Sequence, residues 1–186
     1  MIAAWEILLG LLIAVVATMY FVFGSFIFGS AGYQPTFRRV VDRMLEMAEV
    51  GPADTVFDLG AGTGAILFRA ARTRGAKVVG VEVEPLRVLL LRLRRLVGGP
   101  RDRVEVRWGN LYATDLSGAT VIAVFLWPEA MARLGPLLAA QLPAGARLVS
   151  YYHEVAGWTP EESDPKLRVY LYRFPRPAPD PATGGR

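Results

Sequence analysis

VFDLGAGTGA, Val56 to Ala65, is the stretch on which the fold turns. Three apolar residues and a carboxylate lead into alternating glycines, and AILFRAARTR follows. An apolar strand, a glycine turn and a helix, in that order, open a nucleotide-binding α/β fold. Gly60 to Ala65 fits G-x-G-x-x-A, the dinucleotide signature. Asp58 to Gly64 equally fits D-x-G-x-G-x-G, a signature of S-adenosylmethionine binding. These ten residues leave the choice open, and the rest of the chain must make it.

Toward the amino terminus the chain is apolar without a break. From Ile7 to Gly29, ILLGLLIAVVATMYFVFGSFIFG carries no charge over 23 residues. As a helix rising ~1.5 Å per residue it would reach about 34 Å, more than the ~30 Å of a bilayer's hydrocarbon core. A cleaved signal peptide would need a basic start and a shorter run, and MIAAWE has no Lys or Arg. Apolarity on every face argues against an ordinary core helix. The expectation is a retained N-terminal transmembrane helix with its link, residues 1–32, Trp5 and Tyr33 lying near its two ends. Arg38, Arg39 and Arg43 follow the run and no basic residue precedes it. The positive-inside bias therefore predicts a single-pass membrane protein with its body on the cytoplasmic side.

Composition excludes several classes. The 186 residues hold no cysteine, which rules out disulfides and thiolate metal sites, and no metal is expected. The net charge is +4 and the pI about 9.7, and all but Lys77 and Lys166 of the 21 basic residues are Arg. That excess is small, and no basic stripe is interleaved with aromatics, so no nucleic-acid partner is expected. A membrane-facing or acid-partner-facing surface is compatible with it.

Downstream, strands and helices alternate. Thr36–Glu49 reads as a helix, with apolar residues at Phe37, Val40, Val41, Met44, Leu45 and Ala48, Thr36 as its cap and Gly51-Pro52 as its stop. Strands are predicted at Thr55–Leu59, Lys77–Val83, Val104–Trp108, Thr120–Leu126, Ala146–Tyr152 and Leu167–Phe174. Helices are predicted at Ala65–Arg74, Pro85–Val97 and Pro128–Leu142, the last bent at Gly135-Pro136. The pattern implies a Rossmann-like, doubly wound α/β fold over residues 33–175: a mostly parallel sheet with helices on both faces. Residues 153–166 leave no room for a crossover helix, so the last strand should return antiparallel at the sheet edge. Residues 176–186 read as a disordered Pro/Gly-rich tail.

Ligands of such a sheet bind at the carboxyl ends of its strands, where the strand order reverses. Gly60 and Gly62 permit close backbone approach there. A pyrophosphate wants free N–H groups and no extra anion, so Asp58 is a poor neighbour for it. The same carboxylate suits the ammonium of a methionine moiety, or it orders the loop by accepting loop N–H groups. A P-loop is excluded, because no Gly-Lys-Ser/Thr follows. Glu82, about 20 positions on, is placed for ribose hydroxyls, which both cofactor classes carry. Glu84, beside Pro85, reads as a helix starter. Asn110 offers a donor and an acceptor for an adenine edge, or simply forms a Gly109-Asn110 turn.

VFDLGAGTG, VVGVEVEP and GNLYATDLSGATVIAVFLWPEAM, in this order and spacing, resemble the motifs of class I (seven-β-strand) S-adenosylmethionine methyltransferases. YQPT before the first core helix, FLWPEAM after the fourth strand and GARLVSYYHEVAGWTP…VYLYRF at the end are similar, more narrowly, to FAM173-type and archaeal protein-lysine methyltransferases. The resemblance implies S-adenosylmethionine as cofactor. It implies that Tyr33 and Thr36 close over the methionine carboxylate and that Asp58, Leu59, Gly60 and Gly62 hold the amino-acid part. Glu82 with Val83 would take the ribose, and Asn110 with Leu111 the adenine. Mitochondrial members of that family carry an N-terminal hydrophobic anchor.

The expected chemistry is methyl transfer from a sulfonium to a nucleophile, for which the protein supplies alignment and desolvation. A lysine nucleophile, with a free pKa of ~10.4, must first lose its proton. Pro128 lacks an N–H, so the carbonyls of Leu126 and Trp127 could accept from an amine. Phe125 and Trp127 could wall the target chain, with a cation–π contact on Trp127. Glu129 either steers an ammonium or only faces the helix dipole. His153, the one histidine, is a candidate proton acceptor. Arg87, Arg92, Arg94 and Arg95 read as a solvated helix face. The expected activity is a membrane-anchored methyltransferase acting on a lysine of a membrane-associated protein. The alternatives are a quinone or phospholipid acceptor, a dinucleotide-dependent oxidoreductase, and an anchored nucleoside sensor without turnover.

Overall fold

The computed structural model of the chain describes residues 4–27, 36–98 and 100–174, with the side chains of the first segment described from Ala4 to Tyr20. In chain order the elements are α1 (Ala4–Ile27), α2 (Arg38–Met47), β1 (Thr55–Leu59), α3 (Ala65–Arg74), β2 (Lys77–Glu82), α4 (Pro85–Gly98) and β3 (Val104–Trp108). A 3-10 turn (Leu111–Ala113) precedes β4 (Val121–Val124), and α5 (Pro128–Gln141), β5 (Arg147–Tyr151), β6 (Glu162–Asp164) and β7 (Val169–Arg173) complete the chain.

The strands form one sheet in the order β3-β2-β1-β4-β5-β7-β6. The first five are parallel, β7 is antiparallel to β5, and β6 is antiparallel to β7. The chain winds outward from β1 through β2 to β3, then crosses back to β4 on the other side of β1. The switch point is therefore between β1 and β4, and their carboxyl ends border the cleft where such folds bind ligands.

Strand periodicity divides the core in two. Val56, Val78, Val121 and Val149 face α2 and α3, packing with Met44, Leu45, Leu67 and Phe68. Phe57, Ile122 and Leu148 face the other way and pack with Met131, Leu134 and Leu138 of α5. Each of these fully buried aliphatic side chains contributes roughly 1.5–3 kcal/mol by leaving water. Period two also sets the polar residues. Asp58 lies on the Val56 side of β1, and Glu82 on the Val78 side of β2. Both carboxylates thus point to the face that carries α3. Gly80 lies between them in the β1–β2 register, opposite Asp58. A Cβ there would come within 3.0 Å of Leu67, so glycine lets α3 settle on the sheet.

Several expectations are corrected. The return strand β7 is antiparallel, but it is not at the edge: β6, Glu-Ser-Asp, pairs outside it. Three polar residues carry no apolar alternation by which a strand could be recognised. Thr36 does not cap α2; Phe37 holds the N-cap position and its carbonyl accepts from Val40 and Val41. Helix α5 ends at Gln141, one residue before the expected Leu142, which is its C-cap. Arg87 is buried rather than solvated, close to the buried Glu84 carboxylate.

The transmembrane anchor is corrected as well. Among the described residues no helix is long and apolar enough to cross a membrane. The side chains described on α1 run from Ala4 to Tyr20 and include Glu6. Membrane anchoring, and the single-pass orientation built on it, therefore have no support. Tyr33 and the predicted tail, residues 176–186, lie outside the described residues.

Candidate functional site

The glycine loop joins β1 to α3 with Gly60, Gly62 and Gly64 all at positive φ (86°, 54° and 80°). Its N–H groups are spent internally. Those of Gly60 and Ala61 donate to the Val81 carbonyl at 2.9 and 3.0 Å, and that of Gly62 donates to Glu82 Oε2 at 2.8 Å. A pyrophosphate site needs such groups free. The dinucleotide reading of the loop therefore loses its physical basis.

Asp58 is 3% exposed. Its Oδ2 accepts from the Leu67 N–H at 3.1 Å, in the first turn of α3, so the carboxylate does order the loop–helix junction. Its Oδ1 accepts no hydrogen bond among the described residues. Burial pushes this carboxyl up to about 7; the Leu67 N–H opposes the shift and the nearby Glu82 adds to it. A buried carboxylate with one uncommitted oxygen at the switch point suits a cation, such as a methionine ammonium.

Glu82 is equally enclosed. Besides the Gly62 N–H on Oε2, its Oε1 accepts from the N–H groups of Val83 and Glu84, both at 3.0 Å. Each carboxylate oxygen holds two lone pairs, so Oε2 keeps one for a ribose hydroxyl. Glu84 caps α4, its two oxygens accepting from Leu86 and Arg87 N–H at 3.0 and 2.8 Å. The helix-starting role expected for it holds. Asn110 Oδ1 accepts from the Tyr112 N–H at 2.9 Å, the turn-forming arrangement, and its amide nitrogen is uncommitted among the described residues. Leu111 is half-buried against the α5 core. Trp108, two residues before Asn110, is 64% exposed, with its indole N–H held by the Val83 carbonyl at 3.0 Å. This ring flanks the Val83–Asn110 edge. Sequence reasoning missed it, though a tryptophan ending an otherwise half-buried strand was a visible signal.

Thr36 shares a cavity of about 230 Å³ with Ala65, the first residue of α3, and with Phe68, Arg38 and Arg94. The residue expected over the methionine carboxylate thus does lie beside the glycine-loop helix.

Past β4, Phe125, Leu126, Trp127, Pro128 and Glu129 follow in extended chain and the start of α5, with Trp127 as N-cap and Pro128 at the first helical position. Leu126 is buried beside Gly60. The Trp127 carbonyl accepts from the Met131 N–H at 2.9 Å and so is not free, which corrects one half of the expected pair. The Leu126 carbonyl accepts nothing among the described residues. Phe125 packs on Tyr151 with ring centroids 4.4 Å apart, and Trp127 on His153 at 5.7 Å. His153 meets Tyr152 edge-on at 4.9 Å. The ends of β4 and β5, far apart in sequence, thus build one aromatic wall next to the glycine loop. Burial and the Arg168 guanidinium lower the His153 pKa, against an opposing pull from Glu129, which favours the neutral imidazole. Glu129 is exposed at the second position of α5, where it also serves the helix dipole. Tyr152 is held at a positive φ of 73°, its N–H donating to the Arg168 carbonyl at 2.7 Å. The Arg168 guanidinium lies 3.6 Å from the Tyr152 ring centroid. No sequence pattern marked Arg168, because only the β5–β7 pairing brings it to this ring.

Comparison with known proteins agrees with this geometry. A family profile described as the ANTKMT methyltransferase domain matches residues 58–162. A protein-lysine N-methyltransferase of Saccharolobus islandicus is 38% identical over 149 residues, 75% of this chain and 91% of that protein. An adenine nucleotide translocase lysine N-methyltransferase of Mus musculus is 31% identical over 142 residues, 68% of this chain but 62% of that protein. A crystal structure described as an RNA methyltransferase from Salinibacter ruber, in complex with S-adenosyl-L-homocysteine, superposes with a TM-score of 0.75 at 40% identity. It covers 79% of this chain and 97% of that one. The switch-point cleft, the cation-ready Asp58 and the closed glycine loop therefore belong to an S-adenosylmethionine-dependent methyltransferase, a member of the ANTKMT methyltransferase domain family.

Proposed function

We propose that the acceptor is the ε-amine of a lysine in a protein. The observation that carries this reading is the aromatic wall of Phe125, Tyr151, Trp127 and His153, with the Leu126 carbonyl beside it. The wall can shield an alkyl-ammonium chain, and a lone carbonyl can orient its nitrogen. Lysine-specific names among the relatives support the same class.

Asp58, Glu82 and Asn110, with the backbone of Leu59, Gly60, Gly62, Val83 and Leu111, would hold the cofactor, and Thr36 would flank its carboxylate. The bound cofactor supplies an activated methyl group on a sulfonium. The chain's own task is to bring in a neutral amine. Burial against the wall disfavours the ammonium form and lowers the lysine pKa. Neutral His153 faces Trp127, where it can accept the departing proton. Glu129, at the mouth, would steer the incoming charge.

A second reading, an RNA acceptor, follows from the description of the Salinibacter structure. One experiment separates the two. The full chain is incubated with methyl-tritiated S-adenosylmethionine and cell extract, and label is then sought after RNase or after protease digestion. The lysine reading expects label that survives RNase and is recovered as methyl-lysine on hydrolysis. Label lost to RNase, or label in neither fraction, overturns it.

A further inference from the structure

The chain between β3 and β4, residues 109–120, contains only the 3-10 turn and no helix. The face of the sheet that α5 covers over β1, β4 and β5 is therefore left without a helix over β2 and β3. Phe57 and Val79 nonetheless remain only 3% and 6% exposed. The loop itself covers part of this face, Leu116 and Ala119 packing in one cluster with Phe57 and Val79, and the Arg107 guanidinium lies 5.3 Å from the Phe57 ring centroid. The result is a groove of about 440 Å³ with an apolar floor and a basic rim of Lys77, Arg95, Arg101, Arg103 and Arg107.

The rim keeps a surplus of positive charge. Its carboxylates are Asp102 and Glu105, against five cations, and Asp115 lies near Arg107. Glu105 is taken by Arg107 at 2.6 Å, and Asp102 lies 3.8 Å from Arg103. Arg95, Arg101 and Arg103 donate instead to backbone carbonyls, of Arg101, Leu96 and Gly75 respectively. Those bonds fix the guanidiniums in place without cancelling their charge. The groove begins at Lys77, the start of β2, and the cofactor edge begins at Glu82, the end of the same strand. At ~3.3 Å per residue the two are about 17 Å apart, within reach of five or six extended residues.

The geometry points to a docking groove for an acidic segment of the protein acceptor, flanking the lysine that is methylated. An acidic polypeptide fits better than nucleic acid. Among the lining residues the only ring is Phe57, and it is buried, so there is no stacking platform for bases. The basic side chains of the rim suit a run of carboxylates. This inference rests on the protein-lysine reading, and its test is a binding measurement separate from methyl transfer.

Fluorescence anisotropy on the full chain would compare three fluorescein-labelled probes of equal length. These are a Glu/Asp-rich peptide with one lysine, a Gly/Ser peptide with one lysine, and oligouridylate. The acidic peptide should bind at least tenfold tighter than either of the others at low salt, and added salt should weaken it. The double variant K77E/R101E should lose at least tenfold of that affinity, while K77Q/R101Q loses less. Both substituted residues are exposed and remote from the cofactor edge, so the variants should methylate the Gly/Ser peptide at the wild-type rate, which confirms folding. Oligouridylate binding as tightly as the acidic peptide overturns the proposal. So does acidic-peptide affinity that charge reversal leaves unchanged. Tight, charge-dependent peptide binding without any transfer to lysine would uphold the groove and sink the lysine reading alone.

Discussion

Asp58 and Glu82 hold the glycine loop between them. Oδ2 of the first accepts from the Leu67 N–H at 3.1 Å, on the helix side of the loop, and Oε2 of the second accepts from the Gly62 N–H at 2.8 Å, within it. Burial raises the Asp58 carboxyl to about 7, and the neighbouring Glu82 adds to that shift.

Cofactor affinity should therefore depend on pH. The Asp58 carboxyl titrates near 7 without ligand, and an ammonium partner needs it ionised. Affinity for S-adenosylhomocysteine should rise up to tenfold per pH unit below 7 and level off above it, with a proton released on binding. Calorimetry in buffers of different ionisation enthalpy measures both. Asp58→Asn should bind at least tenfold more weakly and show no such pH dependence.

The same group acts on stability with the opposite sign. Its folded pKa of about 7 lies above its unfolded value near 4, so the unliganded native state binds the extra proton. The Asp58 contribution is complete below pH 4 and is lost as pH rises through 7. Asp58→Asn should flatten the decline in unliganded melting temperature between pH 5 and 8, as followed by circular dichroism.

Gly64 has φ +80°, and a Cβ would lie 2.7 Å from both Phe68 and Leu91. Gly64→Ala should destabilise the chain by about 1–2 kcal/mol from the left-handed backbone alone, before any contact is counted. Urea denaturation gives the number; a change within 0.3 kcal/mol of zero would mean that the loop relaxes.

Trp127 is 43% exposed at the mouth of the aromatic wall. Trp127→Ala should raise KM for a lysine peptide about tenfold while leaving S-adenosylhomocysteine affinity within twofold. Equal losses in both would place the ring in the cofactor site instead.

Asp54 pairs with Arg147 and accepts from the Thr120 hydroxyl at 2.7 Å, tying the starts of β1, β4 and β5 at the end of the sheet away from the cleft. Asp54→Ala should cost about 3 kcal/mol, because it leaves a largely buried guanidinium unpaired. Methyl transfer per folded molecule should be unchanged.

Much of this was legible in local pattern. Thr55–Leu59, Ala65–Arg74 and Val104–Trp108 fall where apolar periodicity and glycine stops put them, because those signals lie within one element. Asp58 and Glu82 stand out by their spacing to the glycines, and both carboxylates are buried against the loop. Beyond one element the pattern is weaker. Glu162–Asp164 is a strand only because β7 offers it an edge, and the alignment of Tyr152 with Arg168 exists only through the pairing of β5 with β7. The apolar amino-terminal run read as an anchor, yet no described helix meets the length and apolarity that a span requires.

The sequence by itself determined the α/β alternation, the glycine loop and the carboxylates that flank it, since each depends on neighbours a few residues away. The tertiary structure alone decided that both carboxylates turn to the α3 face and consume the loop's N–H groups. It alone joined β4 to β5 in an aromatic wall and left one face of β2 and β3 without a helix, beside a basic rim. Hydrogen bonds and burial are properties of packed surfaces, and a linear order of residues does not contain them.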